Sequence, residues 1–284
     1  MIELIETPDE IAPSPGSPAV GAADPTRSLA RRWLRGARGT SISLAVVLAL
    51  IGLWELASLG ESPVILPSPA TVLRTGYDLV ESGQLLSDIW ISFFRIVLGW
   101  LIGCAIGFPL GLATGRLRFV SRLLSPIIHY FRFIPPIALL GLFVIWLGIG
   151  ESAKVGIIVY ATSFIIIVNT AAGAQGVPVE KIKAAQVLGG TQVQVFTRVV
   201  VPATLPSTIT GMRIAMSAAF MTVVAAELVA ANSGIGYLIW TAGEFNRTDI
   251  EFVGVVCLGL MGVLADLALR LVLAPIKYRY AIKF

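Results

Sequence analysis

The chain has 284 residues, of which 56% are hydrophobic and 13% are charged, and its mean hydropathy is +0.85. Soluble globular domains carry roughly 25% charged residues, so the composition excludes an ordinary soluble protein and indicates an integral membrane protein. In such a protein the net charge of +4 reports topology rather than nucleic-acid binding. The single His and the two Cys do not have the spacing of a metal site or of a disulfide framework.

The first 40 residues differ in composition from the rest of the chain. They contain five prolines among Ser, Ala and acidic residues, and then become rich in Arg between positions 27 and 38. This composition is typical of disorder. We therefore expect residues 1–40 to be a disordered cytoplasmic extension whose Arg residues anchor the first membrane span.

Apolar segments fill most of the remaining chain, 41–284. About 20 apolar residues cross the hydrocarbon core as a helix, and six segments meet this requirement. The predicted spans are 41–60, 88–115, 123–149, 154–174, 206–230 and 251–274. The dipeptide Pro135-Pro136 predicts a kink or break in the third span. The fold class is therefore an all-α membrane protein with six transmembrane helices.

The orientation follows from Lys and Arg in the connecting segments, which concentrate on the cytoplasmic side. If the N-terminus is inside, fourteen Lys and Arg lie in the inner segments and three in the outer segments. The three outer residues are Arg74, Lys154 and Arg247. This bias predicts that both termini are cytoplasmic.

Two outer segments carry short-helix or turn signals. Between the first two spans, Ser68 or Thr71 is expected to cap a short helix that lies on the membrane surface. Between the last two spans, Asn232-Ser233-Gly234 is a turn signal. The apolar stretch after this turn is expected to lie at the interface or to dip back into the membrane.

The segment 178–205 is polar and basic, and it lies between two long apolar runs. We predict two short helices within it. Gly189 offers the left-handed residue that ends the first helix, and Thr191 and Gln194 have the spacing of a capping box that begins the second. The second helix is expected to stop or kink at Pro202 and Pro206.

This segment resembles the EAA loop of binding-protein-dependent ABC importer permeases. The family pattern is Glu-Ala-Ala, three residues, Gly, and further on an aromatic residue and a Pro. The residues that match this pattern or lie within it are Lys183, Ala184, Ala185, Leu188, Gly189, Phe196 and Pro202. Lys183 occupies the position where the family usually has Glu. The resemblance implies that 178–205 is the loop that couples the permease to its ATPase.

Further stretches look like the nitrate/sulfonate/taurine-type branch of this family, and the likeness extends from about residue 60 to residue 275. They are LPSP at 66–69, ISFFRIVLGW at 91–100, FRFIPPIAL at 131–139, WLGIGESAK at 146–154 and AELVAANSGIGYLI at 226–239.

The resemblance implies the type I ABC importer permease fold and a set of partners. Two copies of the permease would form the pathway as a homodimer in the cytoplasmic membrane of a bacterium. Two ATPase subunits would dock under the coupling loops, and an extracytoplasmic binding protein would deliver the solute. The chain has no G-x-x-x-x-G-K-[ST] phosphate loop, so it is expected to be a transport subunit rather than an enzyme. It would bind no cofactor itself, and ATP with Mg²⁺ would be held by the partner ATPases.

Charged residues within membrane spans are functional candidates because they are costly in lipid. Four Arg lie within or at the edges of spans, and each can face the pathway or pair structurally with Asp88, Glu227 or Asp266. They are Arg95, Arg132, Arg213 and Arg270. The candidate pathway and gate residues are Arg95, Arg132, Phe133, Pro135, Asn169 and Glu227. For Asn169 and Glu227, helix–helix hydrogen bonding is the competing interpretation.

The favoured cargo is a small anion of the aliphatic sulfonate, taurine, nitrate or bicarbonate class. An alternative keeps the same machinery and imports a neutral or cationic solute such as a vitamin precursor. A membrane-embedded enzyme would need clustered His, Asp or Glu, or a nucleophile with its base. A secondary transporter would be expected to show inverted repeats. The sequence shows neither feature.

Overall fold

The computed structural model describes residues 45–280, and it is helical throughout its regular elements. The predicted disordered extension, 1–40, lies outside the described residues, and so does the beginning of the first predicted span. The chain divides into two compact units, Met1–Trp54 and Glu55–Phe284. All the contacts described below lie within the second unit. The prediction of an all-α protein is confirmed for the described residues.

The helices follow one another with short connections. They are α1 (Ala45–Ser58), α2 (Pro69–Glu81), α3 (Gln84–Arg116), α4 (Arg118–Phe131), α5 (Pro136–Leu147), α6 (Glu151–Gln175), α7 (Val179–Val187), α8 (Gln192–Val195), a π-helical turn (Phe196–Val200), α9 (Val201–Ala230), α10 (Ile235–Glu244) and α11 (Thr248–Tyr280).

Within the described residues, four helical stretches are long and apolar enough to cross a membrane. They are Gln84–Arg116, Glu151–Gln175, Gln192–Leu228 and Thr248–Pro275. The pair α4 and α5 adds a fifth span if the two are counted together, and they meet at an angle of 102°. The predicted first span is represented by α1, which is apolar but shorter.

The α3–α6 packing depends on a row of glycines. Five glycines repeat every four residues along α3 and face α6, and they are Gly99, Gly103, Gly107, Gly111 and Gly115. A Cβ added at Gly111 would lie 2.6 Å from Thr170 Cβ and 2.8 Å from the Ile167 carbonyl oxygen, well inside the optimal carbon contact of about 3.5–4.0 Å. Small residues at this spacing let two membrane helices approach backbone to backbone.

Helix α6 is also packed against α9, and it therefore lies at the centre of the bundle. A Cβ at Gly211 of α9 would lie 2.5 Å from Asn169 Cβ, and the Thr208 hydroxyl bonds the buried Thr170 hydroxyl at 3.2 Å. The core accordingly contains Ile157, Ile158 and Ile166 of α6, which are almost fully buried.

The break between α4 and α5 lies at the predicted Pro135-Pro136 dipeptide, where two missing backbone N–H groups prevent a continuous helix. The carbonyls that the break leaves without helical partners are partly satisfied from α6. The Tyr160 hydroxyl donates to the Phe131 carbonyl oxygen at 2.6 Å and lies 3.5 Å from the Ile134 carbonyl oxygen. The third predicted span is thus two helices, and Tyr160 of α6 hydrogen-bonds the backbone between them.

Two sequence predictions about proline and capping had different outcomes. Ser68 caps α2 by accepting from the Thr71 N–H at 3.2 Å, as predicted. The sequence predicts that Pro202 and Pro206 stop or kink the second helix of the 178–205 segment. A stop is wrong, because helix runs from Gln192 through both prolines to Leu228, and a kink stays a prediction. The π-helical turn just before Pro202, in which the Val201 N–H bonds the Phe196 carbonyl, is wider than an α-helical turn. It thus relieves the clash that a proline ring makes with the preceding turn.

Candidate functional site

A buried ionic cluster joins α3 to α9 where α3 and α6 begin and α9 ends. Arg95 is 1% exposed and Glu227 is fully buried. Arg95 Nη1 donates to Glu227 Oε1 at 2.8 Å. The Ser92 hydroxyl lies 2.8 and 2.9 Å from the two carboxylate oxygens of Glu227. The pair is therefore both charge-matched and hydrogen-bonded, as a charge buried in a membrane helix bundle requires.

Glu151, the first residue of α6, completes the coordination of Arg95. Its carboxylate accepts from Arg95 Nε and Nη2, each at 2.6 Å, and from Lys154 Nζ at 3.0 Å. Its side chain is 61% exposed, whereas Arg95 and Lys154 are buried. A bidentate carboxylate geometry is the arrangement for which an Arg fork is best suited. The two buried cations thus share one carboxylate at the surface.

The same cluster holds the turn between α9 and α10. The Gly234 N–H donates to Asp88 Oδ1 at 2.7 Å, and the Gly236 N–H donates to Glu227 Oε2 at 2.8 Å. Gly234 has a φ of +113°, and a Cβ there would lie 2.5 Å from the Glu227 carboxylate. Glycine is required at this position both by the backbone conformation and by the space.

For Arg95, the cluster favours the structural of the two alternatives left by the sequence. Arg95 is neutralised by two carboxylates and its Nη1 also donates to the Ser233 carbonyl oxygen at 2.8 Å. It therefore has little capacity left for a solute anion, and its geometry is that of a structural tie. Arg213 and Arg270 both pair with Asp266, at 3.0 and 2.7 Å.

Arg132 is the fourth Arg, and its surroundings differ from those of the other three. It lies at the α4–α5 break with its guanidinium 4.7 Å from the centroid of the Phe133 ring, a distance typical of a cation–π contact. Within residues 45–280 it makes no ion pair with a carboxylate. Its charge is therefore available to a ligand.

A cavity of about 520 Å³ opens beside Arg132, between the α4–α5 break, α6 and α9. Three predicted pathway residues, Arg132, Phe133 and Asn169, line it. Pro135 lies at the break as the N-cap of α5, but Pro136 rather than Pro135 lines the cavity. Arg95 and Glu227 lie in the separate cluster described above. The structure thus places two of the six candidate residues in the ionic cluster, three in the wall of the cavity, and Pro135 at the break beside it.

The coupling-loop residues form a helix–turn–helix at the opposite end of the bundle from the ionic cluster. Helix α7 ends at Val187, Gly189 follows with a φ of +81°, and the predicted capping box is present. Thr191 Oγ1 accepts from the Gln194 N–H at 3.3 Å, and Gln194 Oε1 accepts from the Thr191 N–H at 2.9 Å. Both local predictions are confirmed.

The surface of this segment is open. No residue of α7 is buried, and Val187 and Leu188 are 86% and 87% exposed although both are apolar. Lys183 and Ala184 are exposed, Ala185 is half-buried, and Phe196 is 38% exposed. Pro202 lies further along, half-buried in α9. Exposed apolar side chains beside basic ones are typical of an interaction surface.

Sequence reasoning did not identify several residues of these sites. Glu151 stood in a quoted motif but received no role, and Lys154 was used only for topology. Tyr160 and Thr222, which line the cavity, carried no signal because single hydroxyls in apolar helices are common. The i, i+3 spacing of Glu151 and Lys154 was the one pattern that offered a hint.

Comparison with known proteins places these features in a family. Residues 105–277 match the family of binding-protein-dependent transport system inner membrane components. The taurine transport system permease protein TauC of Escherichia coli is 34% identical over 86% of this chain and 91% of its own. A Bacillus subtilis protein described as an aliphatic sulfonates transport permease, SsuC, is 32% identical over 84% of this chain and 85% of its own.

A solved structure shares the fold. A chain of the MetNI methionine ABC transporter in an inward-facing conformation is similar with a TM-score of 0.61 and 21% identity. The similarity covers 68% of this chain and 96% of that one. The sequence relatives are permease components rather than enzymes, and the described helices are those of a multi-pass membrane protein. The chain belongs to the family of binding-protein-dependent transport system inner membrane components, in the branch with taurine, aliphatic sulfonate and nitrate permeases.

Proposed function

We propose that the chain is the transmembrane subunit of an ATP-driven importer in a bacterial cytoplasmic membrane, where it forms an alternating-access pathway for a small anion. In this proposal six spans place both termini in the cytoplasm. A second copy completes the pathway, and an extracytoplasmic binding protein delivers the solute. Two ATPase subunits bind ATP and Mg²⁺, so this chain carries neither.

The α7–α8 surface is the observation that carries the proposal. Helix α7 has nine residues and no buried side chain, and it packs against the short α8 and the π-helical turn that follow it, so most of its surface is free for a partner. Val187 and Leu188 offer apolar area, and Lys181 and Lys183 place positive charge beside it. A cytoplasmic ATPase is the partner that the family assignment makes available.

The connections of α7 and α8 explain how movement of the ATPase reaches the membrane helices. Only three residues separate α6 from α7, and α8 continues through the π-helical turn into α9 without a break. Helices α6 and α9 are themselves closely packed. A displacement of the α7–α8 hairpin therefore moves both central helices at once, because interlocked helices do not deform continuously.

An anionic cargo is supported by the relatives and by Arg132. Relatives of this chain are named as taurine, aliphatic sulfonate or nitrate permeases. Arg132 supplies a cation beside a cavity in the membrane-spanning part of the bundle. A neutral or cationic cargo would gain nothing from this charge.

The test is ATP hydrolysis by the chain co-purified with its cognate ATPase in proteoliposomes. Leu188→Asp puts a charge on the docking surface without disturbing the fold, because Leu188 is 87% exposed. Burying one Leu contributes about 1.5–3 kcal/mol, so assembly with the ATPase should weaken roughly 10-fold or more. Leu73→Asp is the matched control, since Leu73 is 75% exposed on α2 at the other end of the bundle. If Leu188→Asp assembles and hydrolyses ATP as the wild type does, the coupling surface has been misassigned.

A further inference from the structure

We propose that the cavity beside Arg132 is a binding site for an organic anion with an apolar body, such as an alkanesulfonate, and not for a bare inorganic oxyanion. The inference rests on the proposed function, because it names the cargo class at a site on the proposed pathway. It is carried by the position of the cavity, its charge and the chemistry of its walls.

The cavity lies about halfway along the membrane-spanning helices. Its α6 residues run from Tyr160 to Asn169 in a helix that spans Glu151–Gln175, and its α9 residues lie near position 220 in a helix that ends at Ala230. Non-helical backbone at this depth is tolerated only if it is buried in protein or lines a water-filled cavity. The α4–α5 break borders this cavity, so the break marks a solvated space and not a lipid contact.

The charge of the cavity has one sign. Arg132 is exposed to it, and the thirteen lining residues include no Asp or Glu. The nearest acidic residue of α9, Glu227, is fully buried and is committed to Arg95, Ser92 and Gly236. A guanidinium has five N–H donors and no acceptor. It therefore selects an anion with several oxygens, such as a sulfonate or a carboxylate.

The guanidinium is positioned by the wall beside it. The contact of Arg132 with the Phe133 ring restricts a side chain that otherwise has high rotamer entropy, so less entropy is lost when a ligand binds. Asn169 Nδ2 donates one hydrogen to the Ile165 carbonyl oxygen at 2.8 Å. Within residues 45–280 its second hydrogen has no partner, which makes it a second donor on the same cavity.

Most of the remaining wall is apolar, the hydroxyls of Tyr160 and Thr222 donate to backbone carbonyls, and the cavity is larger than a small ion requires. Phe164, Ile165 and Met221 contribute to it together with other aliphatic side chains. A cavity of about 520 Å³ lies in the range of sites for small organic ligands, roughly 300–1,000 Å³. Nitrate would contact Arg132 and leave the apolar wall facing water, whereas an alkyl chain would cover it. Each buried methylene contributes about fourfold in affinity at 0.8 kcal/mol.

The same walls disfavour a zwitterion. The ammonium group of taurine would enter a cavity whose only charged residue is a cation, and a desolvated charge without a partner is costly. The site would therefore distinguish among the solutes for which the relatives are named. We expect an alkanesulfonate to bind more tightly than taurine, and taurine and nitrate both to bind weakly.

The experiment measures binding to the transporter itself. The chain is assembled with its ATPase in nanodiscs without the binding protein, and butanesulfonate is titrated in by calorimetry. Arg132→Gln should weaken binding about 10-fold or more, as expected for the loss of a hydrogen bond to a charged group. Arg122→Gln, which removes an exposed charge from α4, should leave binding unchanged. Affinity should rise from methanesulfonate to butanesulfonate.

The inference is overturned if the wild type does not bind butanesulfonate, if Arg132→Gln binds it as tightly as the wild type does, or if nitrate or taurine binds equally well. ATP hydrolysis by the same preparations separates this failure from that of the proposed function. If the wild type hydrolyses ATP, Leu188→Asp does not, and butanesulfonate does not bind, then the binding site is rejected and the importer function is retained. Absence of any ATPase complex would reject the importer, while binding to the chain alone still reports on the site.

Discussion

Glu227→Gln is the substitution that tests the ionic cluster most directly. The change conserves the volume of a fully buried side chain, so it creates no cavity. It removes the negative charge opposite Arg95 and replaces one carboxylate oxygen with an amide donor. That donor must face either the Ser92 and Arg95 donors or the Gly236 N–H, all of which now donate to Glu227.

The expected loss in the free energy of unfolding depends on which acceptors Arg95 retains in the variant. Removing one partner of a buried ion pair costs about 3–5 kcal/mol, because the other charge is left buried. Glu151 still accepts from Arg95, so the loss should fall at the lower end of this range. Glu151→Gln removes the other carboxylate, but its side chain is 61% exposed. Water can reach the position of this carboxylate, but the buried Arg95 and Lys154 share it, so we expect a loss of about 1–2 kcal/mol, smaller than that of Glu227→Gln.

The measurement is the free energy of unfolding in mixed micelles titrated with sodium dodecyl sulfate and followed by circular dichroism. The double variant of Arg95→Gln with Glu227→Gln should lose about 1–3 kcal/mol less than the sum of the two single variants, because the residues are in contact. Equal losses for Glu227→Gln and Glu151→Gln, or additive losses in the double variant, would refute the argument that the buried Arg95–Glu227 pair stabilises the contact between α3 and α9.

Two further predictions concern glycines. Gly111→Ala should destabilise the bundle by about 1–3 kcal/mol, since its Cβ would lie 2.6 Å from Thr170. Gly141→Ala, with no atom within 4 Å, should be neutral or slightly stabilising in the same titration, and equal losses would contradict the close packing. Gly189→Ala should cost about 1–2 kcal/mol locally because of the φ of +81°. Faster amide hydrogen exchange in α7 should report this loss, and unchanged exchange would show that the left-handed turn is not needed.

The parts of the structure that could be predicted from sequence are those decided within a few residues. A cap needs only an oxygen and an N–H three positions apart, which is why Ser68 and Thr191 could be assigned correctly. The break at Pro135 could be predicted for the same reason, because a missing backbone N–H disrupts only the helical turn that contains it. Pro202 does not stop its helix, which was one of the two expected outcomes, since the π-helical turn before it changes the hydrogen bonding that a proline would otherwise disrupt.

For ion pairs between residues far apart in the chain, the sequence limits the possible partners but does not assign them. The sequence named Asp88, Glu227 and Asp266 as possible partners of the four Arg, yet Arg95 and Glu227 are 132 positions apart. Which carboxylate meets which guanidinium depends on the rotation of each helix about its axis, and the apolar composition of these helices fixes that rotation poorly. For the same reason, the cavity lined by Tyr160 and Thr222 was not predicted.

The glycine row on α3 leaves the longitudinal position of that helix undetermined. Its five members face Ile158, Thr162, Ile166, Thr170 and Ala174, which also recur every four residues on α6. Sliding α3 by one repeat, about 6 Å at 1.5 Å per residue, would again place glycines opposite this row, with Ile and Thr exchanged. The glycine row therefore allows α3 and α6 to pack closely but does not define a unique register between them. The bond from Arg95 to Glu151 selects one of these near-equivalent alignments, so a pair of charged residues sets the position of a contact that is otherwise uncharged.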